Sequence, residues 1–182
     1  MDVYYYFNYM SSAWMVLEAI PLIVSPAVII ALLSPEVRES TTLEEYLSRS
    51  LGLTLVAFAV LLLLLTGSVP LTSSLSSPSG DPAGTDPTDP TAPYAVPALT
   101  VSLVYHMAVS FYCYTMWTAG HAYTYTISVV VHAGLAAIGL WVMMFGTSDG
   151  RISRKTGADK RTSGFPFKNV EAEKKNAGKK RV

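Results

Sequence analysis

Residues 51–69, LGLTLVAFAVLLLLLTGSV, form an uninterrupted apolar stretch with no charged side chain. A helix needs about 20 apolar residues to cross the hydrocarbon core of a bilayer. The run at residues 61–65 is leucine throughout and offers no polar face to a protein interior. We therefore interpret residues 51–69 as a transmembrane helix whose leucine run faces lipid.

Three further stretches have the same character. They occupy residues 12–34, 97–117 and 123–145. The first contains Pro21 and Pro26, so we expect its backbone to be kinked, which spanning helices tolerate when neighbouring groups satisfy the freed carbonyls. The sequence thus predicts an all-α membrane protein with four transmembrane helices.

The connecting segments predict how the four helices are paired. Residues 118–122 are so short a turn that the last two helices must be antiparallel neighbours. Residues 70–96 are rich in Pro, Ser and Asp and have no hydrophobic periodicity, which is typical of a disordered linker. We therefore predict two antiparallel hairpins joined by this linker, followed by a disordered basic tail over residues 146–182.

Residues 35–50 form the predicted loop between the first two spans and contain the start of an interfacial helix. Thr42 and Glu45 fit a capping box, in which Thr42 is the N-cap and Glu45 bonds back to its amide. Residues 1–11 are the predicted N-terminal segment outside the membrane.

Charge is concentrated at one end of the chain. The composition is 51% hydrophobic and 14% charged, against about 25% charged in soluble proteins. Of the 13 Lys and Arg residues, only Arg38 and Arg49 precede residue 151, so 11 lie in the tail. Because Lys and Arg near membrane ends stay cytosolic, both termini and the linker are predicted to be cytosolic. A body this apolar argues against a nucleic-acid partner.

The last residues, Lys179, Lys180, Arg181 and Val182, have the form of a dilysine retrieval signal. Lysines three and four places from a free carboxylate would bind coat machinery and return the protein to the endoplasmic reticulum. The alternative is a polybasic tail resting on anionic lipid, worth about 1 kcal/mol for each basic residue near the surface.

His106 and His132 lie at matching depth on the two helices of the second predicted hairpin. Each is 13 residues from Ala119 in the turn, which places both about 20 Å below it. Two neutral imidazoles there could ligate haem iron or another metal, or relay protons. Alternatively, they are core histidines bonded to each other, to Tyr105 or to nearby serines.

Glu18 and a small-residue face complete the set of candidate positions. A carboxyl group within a span is costly unless it is paired, neutral or solvated. Glu18 is therefore a predicted intramembrane polar contact: it is protonated and hydrogen-bonded to Ser or Tyr, it lines a groove that receives a polar residue of a client protein, or it reaches water at the interface. Ala133 and Ala137 form a small-xxx-small face that permits close helix packing, and Cys113 is interpreted as a small core residue.

The sequence contains no HExxH, GxSxG, P-loop or GxGxxG motif. We therefore predict a non-enzymatic protein of the endoplasmic reticulum membrane, with lipid and another membrane protein as partners, acting as an assembly or packaging factor or accessory subunit. The layout looks like that of small proteins of this membrane with such roles. The alternative is a small redox or lipid-modifying enzyme that uses His106 and His132 as haem or metal ligands; a transporter is a third option.

Overall fold

The computed structural model describes residues 2–34, 39–66, 92–120, 123–148 and 151–152. Its helices and strands are, in chain order, α1 (Asp2–Val24), α2 (Pro26–Leu33), α3 (Thr42–Leu65), α4 (Ala92–Thr118), α5 (Thr124–Phe145), β1 (Thr147–Ser148) and β2 (Arg151–Ile152).

Four of these helices are long and apolar enough to cross a membrane: Val3–Val24, Thr42–Leu65, Ala92–Thr118 and Thr124–Phe145. The predicted helical architecture with four long apolar helices is therefore confirmed. The structure also contains two antiparallel strands of two residues each, β1 and β2. They place Ile152 in the same core cluster as Tyr4 and Leu99.

The first helix differs from its prediction at both ends. It begins at Asp2, whereas the predicted span began at residue 12, and it ends at Val24. The early beginning follows from packing, because Tyr4 and Phe7 are buried in the main core cluster. The break at Ser25 follows from Pro26, since a residue before proline is disfavoured in the helical region.

The other boundaries shift for local reasons. The capping box lies one residue earlier than predicted: Thr41 is the N-cap and accepts from the Glu44 amide, while the Glu44 side chain accepts from the Thr41 amide. Helix α4 begins at Ala92, inside the predicted 70–96 linker, because Ala92 and Ala95 are buried. The rest of that linker, the turn residues 121–122 and most of the basic tail lie outside the described residues.

Helix α1 packs along α3, and the hydrogen bonds between them join later residues of α1 to earlier residues of α3. Ser12 Oγ donates to the Ala59 carbonyl at 3.2 Å, and Ser48 Oγ donates to the Leu22 carbonyl at 3.2 Å. Near the other end, the Tyr4 hydroxyl donates to the Thr66 carbonyl at 3.1 Å.

Helices α4 and α5 form the second closely packed pair, and α1 lies against α5 as well. Contact between α1 and α5 depends on Gly139, because a Cβ atom there would lie 2.8 Å from the Phe7 ring. This close approach brings one face of α1 against the two histidine-bearing helices.

A buried histidine pair as the candidate functional site

His106 of α4 and His132 of α5 face each other in the bundle interior. Their Nδ1 atoms are 2.8 Å apart and their ring centroids 5.0 Å apart. Both residues have 0% exposure. The two positions that were predicted to share a depth are therefore in direct contact, as core histidines bonded to each other.

Helix α1 supplies a partner for each outer ring nitrogen. Ser11 Oγ lies 2.7 Å from His106 Nε2. Trp14 Nε1 donates to His132 Nε2 at 3.2 Å, and Glu18 Oε1 lies 3.0 Å from the same nitrogen. Positions 11, 14 and 18 are three and four residues apart, which places them on one helix face. The site is thus built by three helices.

The Trp14 indole favours one assignment of the imidazole protons. An indole N–H can only donate, so when Trp14 donates to His132 Nε2, the His132 proton is on Nδ1. That proton bonds to His106 Nδ1, and His106 in turn donates from Nε2 to Ser11 Oγ. Glu18 Oε1 and Trp14 Nε1 both approach this one nitrogen.

Aromatic side chains surround the histidine pair. The Tyr105 ring lies 5.2 Å from the His106 ring and 5.9 Å from the His132 ring, and Phe7 stands edge-on to His106 at 6.2 Å. Aromatic side chains therefore help to exclude solvent from the two imidazoles. In such a low-dielectric interior, hydrogen bonds strengthen one another while an unpaired charge is costly.

The polar side chains continue one helical turn beyond Ser11 and His106. Asn8 precedes Ser11 by three residues, Ser102 precedes His106 by four, and both have 0% exposure. The Asn8 amide is close to the Tyr4 hydroxyl, but within the described chain neither amide atom nor Ser102 Oγ has a partner in hydrogen-bond geometry. Buried polar groups of this kind are ordinarily satisfied by an internal water.

The pairing bears on metal or haem ligation by His106 and His132. All four ring nitrogens already have hydrogen-bond partners, so ligation would require breaking one of those contacts. In the described ranges, no three His, Cys, Asp or Glu side chains form a group that could hold a metal ion. Ligation remains an untested prediction.

The remaining predicted positions are dispersed. Ala133 and Ala137 are exposed on α5, Cys113 is buried on α4, and Lys179 and Lys180 lie outside the described residues. Ser11 and Trp14 were not identified from sequence. A periodic pattern could have identified this helix face, because the polar residues Asn8, Ser11 and Glu18 recur along it in an otherwise apolar helix.

The architecture and this site define a class: a helix bundle, four of whose helices are long and apolar enough to cross a membrane, around a Ser–His–His–Glu cluster in which the serine and both histidines are buried. The chain belongs to the family described as Domain of unknown function (DUF8792), whose match covers residues 7–180. Neither the curated proteins nor the solved structures provide a match.

Proposed function

We propose that the protein is a multi-pass, non-enzymatic component of the endoplasmic reticulum membrane that assists the assembly or packaging of other membrane proteins or serves as their accessory subunit. One observation carries the proposal. Ser11, His106 and His132 are buried in the bundle interior and lie within hydrogen-bond distance of polar partners there, while the outer faces carry aliphatic and aromatic side chains such as Leu53, Val101 and Ile127. What these helices offer outward is a surface for lipid and for other helices.

The outward position of the small-residue face supports contact with a partner helix. Ala133 and Ala137 are exposed, and no described atom beyond the chain neighbours and adjacent backbone of α5 lies within 4 Å of a Cβ atom built on Gly134 between them. Small residues let two helix backbones approach closely within a membrane. This face is therefore free to receive a helix of another membrane protein.

Purification from mild detergent tests the proposal. The wild-type protein should carry a membrane protein at fixed stoichiometry, and Ala133→Leu with Ala137→Leu should lose it. Ala108→Leu is the matched control, since Ala108 is exposed on α4. A wild-type protein that purifies alone, or a partner retained equally by all variants, would contradict the proposal.

The proposed topology consists of two antiparallel hairpins, α1 with α3 and α4 with α5, with both termini cytosolic. The charge asymmetry of 11 basic residues in the tail against two in the 35–50 loop supports it.

Retrieval through Lys179 and Lys180 further requires that Val182 carry the free carboxylate. Replacing both lysines by Ser should then release the protein from the endoplasmic reticulum, and unchanged localisation would rule out the signal.

An absorption spectrum separates this function from the enzymatic alternative. A Soret band that disappears in His106→Ala would establish haem ligation by the histidine pair. A colourless, metal-free preparation would remove the haem and metal version of that alternative.

A further inference from the structure

We propose that Glu18 binds a Lys or Arg side chain in a transmembrane helix of the partner protein. The inference rests on the proposed function, because it specifies the chemistry of the membrane protein that this chain assists. It places a second contact on α1, in addition to the one proposed at Ala133 and Ala137 of α5. The two contacts lie on different helices and can be tested separately.

Glu18 lies where the facing surfaces of α1 and α5 become accessible. Four positions at intervals of four or seven residues share one face of α1: Phe7, Ser11, Glu18 and Leu22. Phe7 and Ser11 have 0% exposure, whereas the Glu18 side chain retains 23% and Leu22 is half-buried. On α5, His132 is buried but no residue before it in that helix is. The exposed part of Glu18 is therefore accessible to a group from another molecule.

The described chain leaves the Glu18 carboxyl group incompletely bonded. Oε1 lies 3.0 Å from His132 Nε2, which also lies 3.2 Å from Trp14 Nε1. When that nitrogen accepts from Trp14, it has no proton to donate to Glu18. Among the described residues, Oε2 has no hydrogen-bond partner. The other ionisable side chains close enough to interact with a charge on Glu18 are Tyr105 and Cys113 of α4.

A cation that pairs with Glu18 has to come from another molecule. The four predicted spans contain no Lys or Arg, and Arg49 near the start of α3 is paired with Glu45 at 3.8 Å. Ionisable side chains within a membrane usually pair with one another. A neighbouring cation itself favours the carboxylate form, so the pairing does not depend on the charge of Glu18 in the isolated protein.

The depth of Glu18 indicates where the partner carries its cation. Glu18 contacts His132, which is eight residues after Thr124 at the beginning of α5. At 1.5 Å per residue this is about 12 Å from the helix end, within a hydrocarbon core of about 30 Å. The matching Lys or Arg therefore lies about a third of the way along a spanning helix.

Binding of model transmembrane peptides tests the inference. The full-length protein is reconstituted into phosphatidylcholine vesicles with labelled helices of about 20 Leu and Ala residues, and binding is measured by energy transfer. One peptide carries a single Lys a third of the way along, and its control carries Met there, which is similar in length but uncharged. The wild-type protein should bind the Lys peptide about tenfold more tightly, as expected for a hydrogen bond to a charged group.

Glu18→Gln should bind the two peptides equally, because the amide keeps the shape of the carboxylate without its charge. Glu39→Gln is the matched control, since Glu39 is exposed and lies outside the helices, and it should keep the preference for Lys. A third peptide with Glu in place of Lys should bind the wild-type protein no better than the Met peptide. This peptide series on the wild-type protein decides the matter if Glu18→Gln does not fold.

Equal binding of the Lys and Met peptides by the wild-type protein, or a preference for Lys in a folded Glu18→Gln variant, would overturn the inference. Repeating the measurement with phosphatidylethanolamine in the vesicles tests for a lipid ammonium group as the occupant. An unchanged preference supports the partner's side chain, and loss of the preference would assign the site to lipid instead.

Co-purification separates this inference from the assembly role. A partner that is lost with Ala133→Leu and Ala137→Leu but fully retained by Glu18→Gln would leave the assembly role and overturn the cation contact. A wild-type protein that purifies alone, yet prefers the Lys peptide in vesicles, would support the chemistry assigned to Glu18 and contradict the assembly role.

Discussion

Gly139 sets how closely α5 approaches α1. A Cβ atom at this position would lie 2.8 Å from Phe7 Cε2 and 3.0 Å from Cζ, and the Phe7 ring is buried against His106. We expect Gly139→Ala to force the ring aside and to lower the free energy of unfolding by about 1–3 kcal/mol, the usual cost of overpacking. Thermal unfolding in detergent measures the change.

Gly134→Ala is the control for Gly139→Ala on the same helix. Apart from its chain neighbours and the adjacent backbone of α5, no described atom lies within 4 Å of the added Cβ, and alanine favours a helix over glycine by about 1 kcal/mol. The control should therefore match or exceed the wild-type unfolding temperature. Equal destabilisation by both substitutions would mean that helix α5 does not pack on Phe7 as described.

His132 connects three partners, so its loss should be more damaging than that of an ordinary polar residue. His132→Leu removes the bonds to His106, Trp14 and Glu18. At an average of about 0.6 kcal/mol for each interhelical hydrogen bond in a membrane, we expect a loss of about 2 kcal/mol or more in unfolding experiments. His121→Leu, between α4 and α5 in the sequence, is the control. An unchanged unfolding temperature in His132→Leu would show that the cluster contributes no stability.

The two histidines could be brought together from sequence, whereas Glu18 could not. A short turn fixes the depth of residues on both sides of it, so counting from Ala119 paired His106 with His132. Glu18 lies on a helix separated from that hairpin by the unpatterned linker, and nothing in the intervening sequence sets how α1 is rotated. The sequence therefore did not predict that Glu18 would lie beside a histidine, as it does in the structure.

Helix boundaries show where hydropathy was informative. Helix α5 runs over Thr124–Phe145, close to its predicted range, because its hydropathy changes sharply at both ends. Helix α1 extends ten residues before its predicted start because tyrosines and Asn8 lower the local hydropathy, while Tyr4, Phe7 and Asn8 are buried by packing against other helices. Hydropathy measures transfer to lipid and does not register burial in protein.

The beginning of α3 depends on a local signal that can be tested alone. Thr41 and Glu44 form a reciprocal capping box with bonds of 3.3 Å and 2.8 Å. Thr41→Ala should destabilise the first turn by about 1 kcal/mol, which hydrogen exchange of the amides at residues 43–45 would report as faster exchange. Thr54→Ala is the control, because Thr54 is an exposed threonine within α3 that bonds only to the carbonyl four residues back. Unaltered exchange in Thr41→Ala would show that the helix does not depend on its cap.

The two halves of the chain are connected through the polar cluster. Ser11, Trp14 and Glu18 come from the half that contains α1 and α3, and their partners His106 and His132 come from the half that contains α4 and α5. The cluster therefore acts between the halves, and the halves should recognise each other when residues 1–91 and 92–182 are co-expressed as separate chains. We expect them to co-purify in equal amounts from mild detergent. His132→Leu removes two bonds between the halves, about 1.2 kcal/mol at the membrane average, and should weaken their association about tenfold, while His121→Leu should leave it intact. Wild-type halves that purify separately would show that the linker, rather than the cluster and the helix faces around it, keeps α1 against α5.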